Sequence, residues 1–329
     1  MAMSRRAMLG GAATILANPL YLRAAGAADV KGFPSTAVRI VTTSQAGGGL
    51  DILTRTIADK LAGLWKQPVV VDNRPGANGM IATSAVAKSA PDGYTLLTTN
   101  SSIVQNVILY KKAAYRLEEL APVSQIVLFP IAFAVPGTSS ANSVRDFVDR
   151  AKANPGKLTY GSYGLGSSGH LLGETLRRIA GIDIVHVPYK GEPPLLAEML
   201  GGQLDACFAS VGGVAPNAKA GKMRVLAVAS PQRLERFAEF PTFADAGFPS
   251  VSVPGWGGLL APAGTPLDLI QKVSADVASV VQMPDVASSI SGSLGGVPVG
   301  NKPEDFQVIM ARELSTWAQT IRESKIDLE

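Results

Sequence analysis

The chain has 329 residues, enough for two α/β units that each bury a core. Hydrophobic residues make up 47% and charged residues 17%, which excludes an intrinsically disordered chain. The formal charge of +4 is no nucleic-acid signature: Arg5, Arg6 and Arg23 fall within an acid-free first 28 residues, and beyond them 27 Lys and Arg face 26 Asp and Glu without a dense basic run.

The N-terminal segment reads as an export signal. Ser4-Arg5-Arg6-Ala7-Met8-Leu9 follows a twin-arginine-like pattern, residues 7–22 are mildly apolar, and the small residues at 24–28 place cleavage near Ala27 or Ala28. Gly10, Gly11, Asn18 and Pro19 leave the stretch too short and too weakly apolar for a bilayer span. The protein is therefore expected in the periplasm, with residues 1–28 removed.

A strand over residues 38–44 then enters Gly47-Gly48-Gly49, and a helix over 51–65 follows with Leu53, Ile57, Leu61 and Leu64 on one stripe. Short strands at 68–71 and 94–99 flank a helix at 80–89, which gives β-α-β-α-β and hence a parallel sheet. The polar loop Asn100-Ser101-Ser102 closes this unit. Residues 122–136 form an apolar run that passes to a second unit, where a helix at 144–153 precedes a strand at 157–162. That strand enters Gly164-Leu165-Gly166-Ser167-Ser168-Gly169, so the glycine-loop motif occurs twice. Helices at 170–180 and 194–200 and strands at 184–189, 204–209 and 223–229 complete the second unit. A linker-like stretch leads through Phe248-Pro249 to an apolar run at 256–262. Helices at 266–282 and 303–325 end the chain, each with proline near its first turn. The pattern implies a second lobe, residues 133–252, inserted into a first lobe of residues 29–132 plus 253–329.

Each glycine loop aims backbone N–H groups and a helix N-terminus at one place, which favours an anion. Gly164–Gly169 matches a dinucleotide fingerprint literally, but the next strand ends Pro188-Tyr189-Lys190-Gly191 without the acid that a ribose needs, and Glu192 comes late. A hydrolase would need a base for Ser167 or Ser168. His170 follows them by two or three residues on an opening helix, which points the side chains to different faces. His170 and His186 lack metal-ligand spacing, and Cys207, the single cysteine, lies in an apolar run as a small core residue. Neither a metal nor a cofactor is expected. Ser44, Gln45, Asn100, Ser101, Ser102, Ser162, Ser167 and Ser168 instead follow strand ends, where ligands lie in parallel α/β sheets. They are neutral donors, suited to a carboxylate that must be held and released.

These stretches also carry a likeness. Val38-Arg39-Ile40-Val41 with Gly47-Gly48-Gly49-Leu50-Asp51, Asp72-Asn73-Arg74-Pro75-Gly76, Ala90-Pro91-Asp92-Gly93-Tyr94, Asn154-Pro155-Gly156-Lys157-Leu158-Thr159-Tyr160-Gly161-Ser162, His186-Val187-Pro188-Tyr189-Lys190-Gly191 and Ala261-Pro262-Ala263-Gly264-Thr265-Pro266 stand in the order found in one family. From about residue 33 to 325 the chain resembles the substrate-binding receptors of tripartite tricarboxylate transporters, the Bug-type extracytoplasmic solute receptors. The resemblance implies an α/β, two-lobed periplasmic-binding-protein fold of type II: each lobe a sheet flanked by helices, with a small carboxylate in the cleft between them. It implies a monomer that delivers its ligand to polytopic membrane transporter subunits. Ligand contact is thereby assigned to Ser44, Gln45, Gly47, Gly48 and Gly49, to Asn100, Ser101 and Ser102, and to Ser162, Tyr163, Gly166, Ser167 and Ser168. Tyr189 and Ser210 are assigned to the rim, and Asp205 to the lobe's architecture. The chain departs from its relatives at Thr43-Ser44-Gln45-Ala46, Val104, Tyr163 and Ala209-Ser210, so the identity of the acid is not inherited. Two other readings stay open: an exported hydrolase using Ser168 or His170, and a sensory receptor that docks onto a signalling partner.

Overall fold

The computed structural model describes residues 32–292 and 294–324, so the expected export segment, residues 1–28, lies outside the described residues. The first run of elements is β1 (Val38–Thr42), α1 (Gly49–Trp65), β2 (Val69–Asn73), α2 (Met80–Ala87), β3 (Thr95–Asn100), α3 (Ser102–Leu109) and β4 (Leu120–Phe129). Beyond Pro130 come β5 (Ile131–Pro136), α4 (Val144–Ala153), β6 (Thr159–Ser162), α5 (Ser168–Ala180), β7 (Val185–Pro188), α6 (Glu192–Leu200), β8 (Ala206–Ser210), α7 (Val211–Lys219) and β9 (Met223–Ala229). The chain closes with β10 (Gly255–Pro262), α8 (Leu267–Val281), α9 (Pro284–Gly292), β11 (Val297–Pro298) and α10 (Pro303–Ser324).

The repeated glycine motif corresponds to a repeated sheet. The first sheet has the order β11-β4-β10-β3-β1-β2 and the second β7-β6-β8-β5-β9. In each, the strand that feeds a glycine loop has parallel neighbours on both sides, β2 and β3 around β1 and β7 and β8 around β6. An antiparallel strand then follows in each, β10 beside β3 and β5 beside β8. Both sheets are flanked by helices, as the expected fold class requires. The chain passes from one sheet to the other at Pro130, between β4 and β5, and returns between β9 and β10.

Two faces of apolar side chains build the first core. Val38 and Ile40 of β1 and Leu96 of β3 pack with Leu53, Ile57 and Leu61 of α1, and each such burial contributes about 1.5–3 kcal/mol. The stripe continues to Trp65 rather than to Leu64, which is exposed. Trp65 lies four residues after Leu61 and so returns to the same helix face, where its indole N–H donates to Asp276 Oδ2 at 2.7 Å. In the second sheet Phe133, Tyr160 and Phe208 pack with Leu172 and Leu176 of α5.

Helix α10 belongs to both cores. Phe306 and Met310 pack with Trp256 and Leu97, whereas Trp317 and Ile321 pack with Phe133, Leu172 and Leu176. Between them the buried Glu313 carboxylate accepts the indole N–H of both Trp256 and Trp317. Burial pushes this carboxyl up to about 7, against the lowering effect of the two indole donors.

Four elements lie outside the expectations: α3, α7, α9 and β11. Helix α7 carries Pro216 and opens on Val211-Gly212-Gly213, a composition that argues against a helix in isolation. Tertiary packing holds it through the buried Val211, Val214 and Ala215.

Candidate ligand site

A cavity of about 270 Å³ opens at the carboxyl ends of strands from both sheets. The first sheet's side contributes Asn78, Asn100, Ser101, Ser102 and Gln105; the second contributes Tyr163, Gly164, Leu165, Ser167, Ser168, Glu192 and Ser210. Phe129 and Ile131, on either side of the crossing at Pro130, form an apolar wall with Gly255 and Trp256 of β10. Among the described residues that line the cavity, Glu192 is the one charged side chain.

Among the described residues, four helices begin on this wall: α3 and α5, and, at Glu192 and Ser210, α6 and α7. Ser101 precedes α3, and Asn100 Oδ1 accepts the Ser102 N–H at 3.0 Å. Ser167 is the N-cap of α5 and accepts the His170 N–H at 3.4 Å. The partial positive charge of such termini favours an anion. The two sides meet directly: Ser101 Oγ lies 3.2 Å from Ser168 Oγ, and Gln105 Nε2 donates to Ser168 Oγ at 2.6 Å. Tyr163 is placed by Gly169, whose N–H donates to the phenol oxygen at 3.2 Å. Burial, reinforced by the Glu192 carboxylate, pushes the Tyr163 phenol well above its ordinary range, so it is a neutral donor.

Of the residues singled out in the sequence, Asn100, Ser101, Ser102, Tyr163, Ser167, Ser168 and Ser210 line this cavity. The structure does not bring Ser44, Gln45, Gly47, Gly48, Gly49, Ser162, Gly166 or Tyr189 onto its wall. Several of their hydrogen-bonding groups are engaged locally. Asp51 Oδ2 accepts the Gly47 N–H at 2.8 Å, Gln45 O accepts the Gly48 N–H at 3.1 Å, and Ser44 Oγ donates to Gln45 O at 3.1 Å. Asp51 is buried, which alone would raise its carboxyl. Donation from Asn73, Gly47 and Arg55 outweighs burial and holds it below the usual carboxylate range. An internal carboxylate thus takes up the Gly47 N–H of the first glycine loop. In the second loop Ser162 Oγ donates to Gly164 O at 3.0 Å and lies 2.8 Å from His186 Nε2, and the Gly166 N–H donates to His170 Nδ1 at 3.0 Å. Tyr189 donates its backbone N–H to Ser162 O at 2.9 Å.

The histidines form a stacked pair, with ring centroids 3.9 Å apart and planes inclined by 10°. Burial holds His170 below its ordinary range, and burial together with the neighbouring His170 lowers His186 to about 3, so both rings are neutral near pH 7. Because His170 Nδ1 accepts from Gly166 and Ser168 bonds to Ser101 and Gln105, the geometry gives Ser168 no general base. Cys207 is fully buried, and burial raises its thiol far above reactivity at neutral pH. Asp205 accepts the Thr159 N–H at 2.9 Å and anchors β8 to β6.

The wall also contains residues that the sequence did not single out: Asn78, Gln105, Phe129, Ile131, Glu192 and Trp256. Asn78 lies in the glycine-rich loop after β2, and Gln105 sits three residues after Ser102 on a helix that was not expected. Trp256 is the aromatic of β10, the strand by which the chain returns to the first sheet.

The family model of the tripartite tricarboxylate transporter family receptor matches residues 53–326. The chain belongs to this receptor family. BugT of Bordetella pertussis is 32% identical to the receptor, over 90% of this chain and 92% of its own. Two solved structures from R. palustris are similar as well. Rpa4515, solved with adipate, shares 31% identity at a TM-score of 0.78, covering 90% of this chain and 99% of its own. MatC, solved with bound malate, shares 28% identity at a TM-score of 0.74, covering 88% of this chain and 100% of its own. The fold and the family thus make the chain a solute-binding receptor.

Proposed function

We propose that this receptor captures a small carboxylate between two lobes in the periplasm and delivers it to polytopic membrane subunits of a transporter. The lobes are taken as residues 29–132 plus 253–329 and residues 133–252, acting as a monomer. One observation carries the reading: Ser101, Ser102 and Gln105 from one side and Ser167 and Ser168 from the other converge on one cavity at two helix N-termini. Neutral hydroxyl and amide donors at helix ends hold a carboxylate without the grip of a buried arginine, which suits capture followed by release. The relatives solved with adipate and malate support the ligand class, and the twin-arginine-like segment at residues 1–28 supports export. A ligand that bridges both lobes favours the closed arrangement by its differential affinity.

The test is a thermal-shift screen of the protein from residue 29 onward against mono-, di- and tricarboxylates and amino acids. At least one small carboxylate is expected to raise Tm in a concentration-dependent manner without being converted. A panel on which no carboxylate shifts Tm would remove the proposal. Steady turnover of an ester or amide, lost on Ser168→Ala, would replace it with the hydrolase reading.

A further inference from the structure

Within that reading, the cavity holds an acid that a pure dicarboxylate site has no use for. Glu192 opens α6 just after Gly191, and its carboxylate lies against Ser210 at the start of α7. Oε1 accepts the Ser210 Oγ–H at 2.6 Å and Oε2 accepts the Ser210 N–H at 2.8 Å. Two donors leave about half of the lone-pair sites of an ionised carboxylate unused. Among the described residues no lysine or arginine forms an ion pair with Glu192 or lines the cavity. Its place in the first turn of a helix favours the negative charge. Room for it is built into the backbone: a Cβ on Gly213 would stand 2.1 Å from Oε1 and 3.1 Å from Cδ.

A carboxylate without a cationic partner on the wall of a small cavity repels a ligand that is anionic throughout and attracts one that carries a cation. The anion-favouring groups, at the N-termini of α3 and α5, are a separate set of residues from Glu192 and Ser210. We infer that Glu192 is a specificity-determining residue, and that the receptor's ligand is a small zwitterion whose carboxylate faces the serine-lined helix ends and whose protonated amine meets Glu192. The cavity volume of about 270 Å³ lies at or below the small end of ligand sites and limits the ligand to a compact molecule. A hydroxyl in place of the amine would still donate to Glu192 but would leave the half-buried carboxylate without a counter-charge.

The inference rests on the carboxylate reading above, and one experiment separates the two. Affinities are measured by calorimetry for matched pairs that differ by the amino group alone: aspartate with succinate, glutamate with glutarate, and alanine with propionate. The amino-bearing member of at least one pair is expected to bind about 10- to 100-fold more tightly, the span of a hydrogen bond to a charged group. Glu192→Gln, close to isosteric and able to keep a contact with Ser210, is expected to abolish that preference while the des-amino acid binds as well or better. Gly213→Ala, which displaces the carboxylate without removing it, is expected to reduce the preference in the same direction. If the wild-type protein binds the des-amino acids equally or better, the role of Glu192 is overturned and the carboxylate reading stands. If the preference exists but survives Glu192→Gln in a protein of unchanged circular dichroism, the amine is recognised elsewhere and the assignment fails. If no acid of either kind binds, in this set or in the wider screen, both readings fall.

Discussion

Ser167 caps a helix and lines the cavity, and substitution can separate the two roles. Its backbone is extended, with φ −70° and ψ 162°, and its hydroxyl accepts the His170 N–H while donating to Gly164 O at 2.6 Å. Aspartate is as good an N-cap as serine, but it brings a charge to the wall. Ser167→Asp should therefore leave the unfolding temperature close to wild type and weaken carboxylate binding by at least about tenfold, through like-charge repulsion. Ser167→Ala should cost about 1 kcal/mol in denaturant unfolding and, with one neutral donor removed, weaken affinity by about two- to tenfold, less than the aspartate does. Equal losses of affinity in the two variants would mean that the hydroxyl, rather than the sign of the charge, matters there. At this scale the sequence was partly legible. Asn100, Ser101, Ser167 and Ser168 could be marked because each follows or ends a strand, and strand ends can be placed from hydrophobic runs, whereas Ser210 was marked by the family resemblance alone. Glu192, Gln105 and Trp256 could not, because which side chain of a helix or crossing strand faces a cavity depends on what packs behind it. The loop at residues 44–49 was marked by the same signal and lies off the wall of this cavity. Its glycines signal an anion site, and Asp51 supplies the anion from within the chain.

Gly173 sets how closely α5 can lie on β6. A Cβ there would stand 2.1 Å from Tyr160 Cε2 and 2.5 Å from Cζ, so the helix rests directly on the ring. The ring has nowhere to go. Tyr160 is fully buried, its hydroxyl donates to Glu174 Oε1 at 2.8 Å, and Arg177 fixes the other oxygen of that carboxylate at 2.8 Å. Gly173→Ala improves helix propensity by about 1 kcal/mol, but overpacking costs about 1–3 kcal/mol. With ring contacts this short the upper end applies, and a net loss of about 2 kcal/mol is expected in urea unfolding. A gain in stability would mean that α5 slides outward at little cost, and the cavity lined by Ser167 and Ser168 at its N-terminus would then be adjustable. The element scale was also where most of the fold could be read. Alternation of strand and helix signals placed β1 to β3 and β5 to β9, and the repeat of a strand entering a glycine loop foreshadowed two sheets of matching order. Helix α7 was missed because Gly212, Gly213 and Pro216 oppose a helix locally, and β11 because a two-residue strand has no periodicity of its own.

At the scale of the whole molecule, contacts of three kinds join the two sides among the described residues. The crossing strands and α10 tie them covalently and through shared cores. Polar side chains meet at the cavity, Ser101 and Gln105 with Ser168. The third is backbone on backbone: the segment Leu294-Gly295 beside β11 touches the first turn of α7 at Gly212. A Cβ on Gly212 would stand 2.9 Å from Leu294 O and 3.1 Å from Gly295 Cα, neither of which is a flexible side-chain tip that could swing aside. Nothing within α7 itself requires glycine at this position, whose φ is not in the left-handed region. If the ligand-free protein separates these segments and ligand capture brings them together, Gly212→Leu blocks the second arrangement and spares the first. A leucine in the first turn also favours the helix by up to about 1 kcal/mol over glycine. The unfolding temperature without ligand should therefore be unchanged or raised. Affinity for the ligand found in the screen should fall by about tenfold or more, because the binding-competent population shrinks. Small-angle scattering supplies the independent reading: the wild-type radius of gyration should contract on adding ligand, and that of Gly212→Leu should not. Wild-type affinity together with wild-type contraction in the variant would show that closure does not bring Gly212 against Leu294-Gly295. The cavity wall would then have to be completed by a smaller motion about the crossings at Pro130 and before β10.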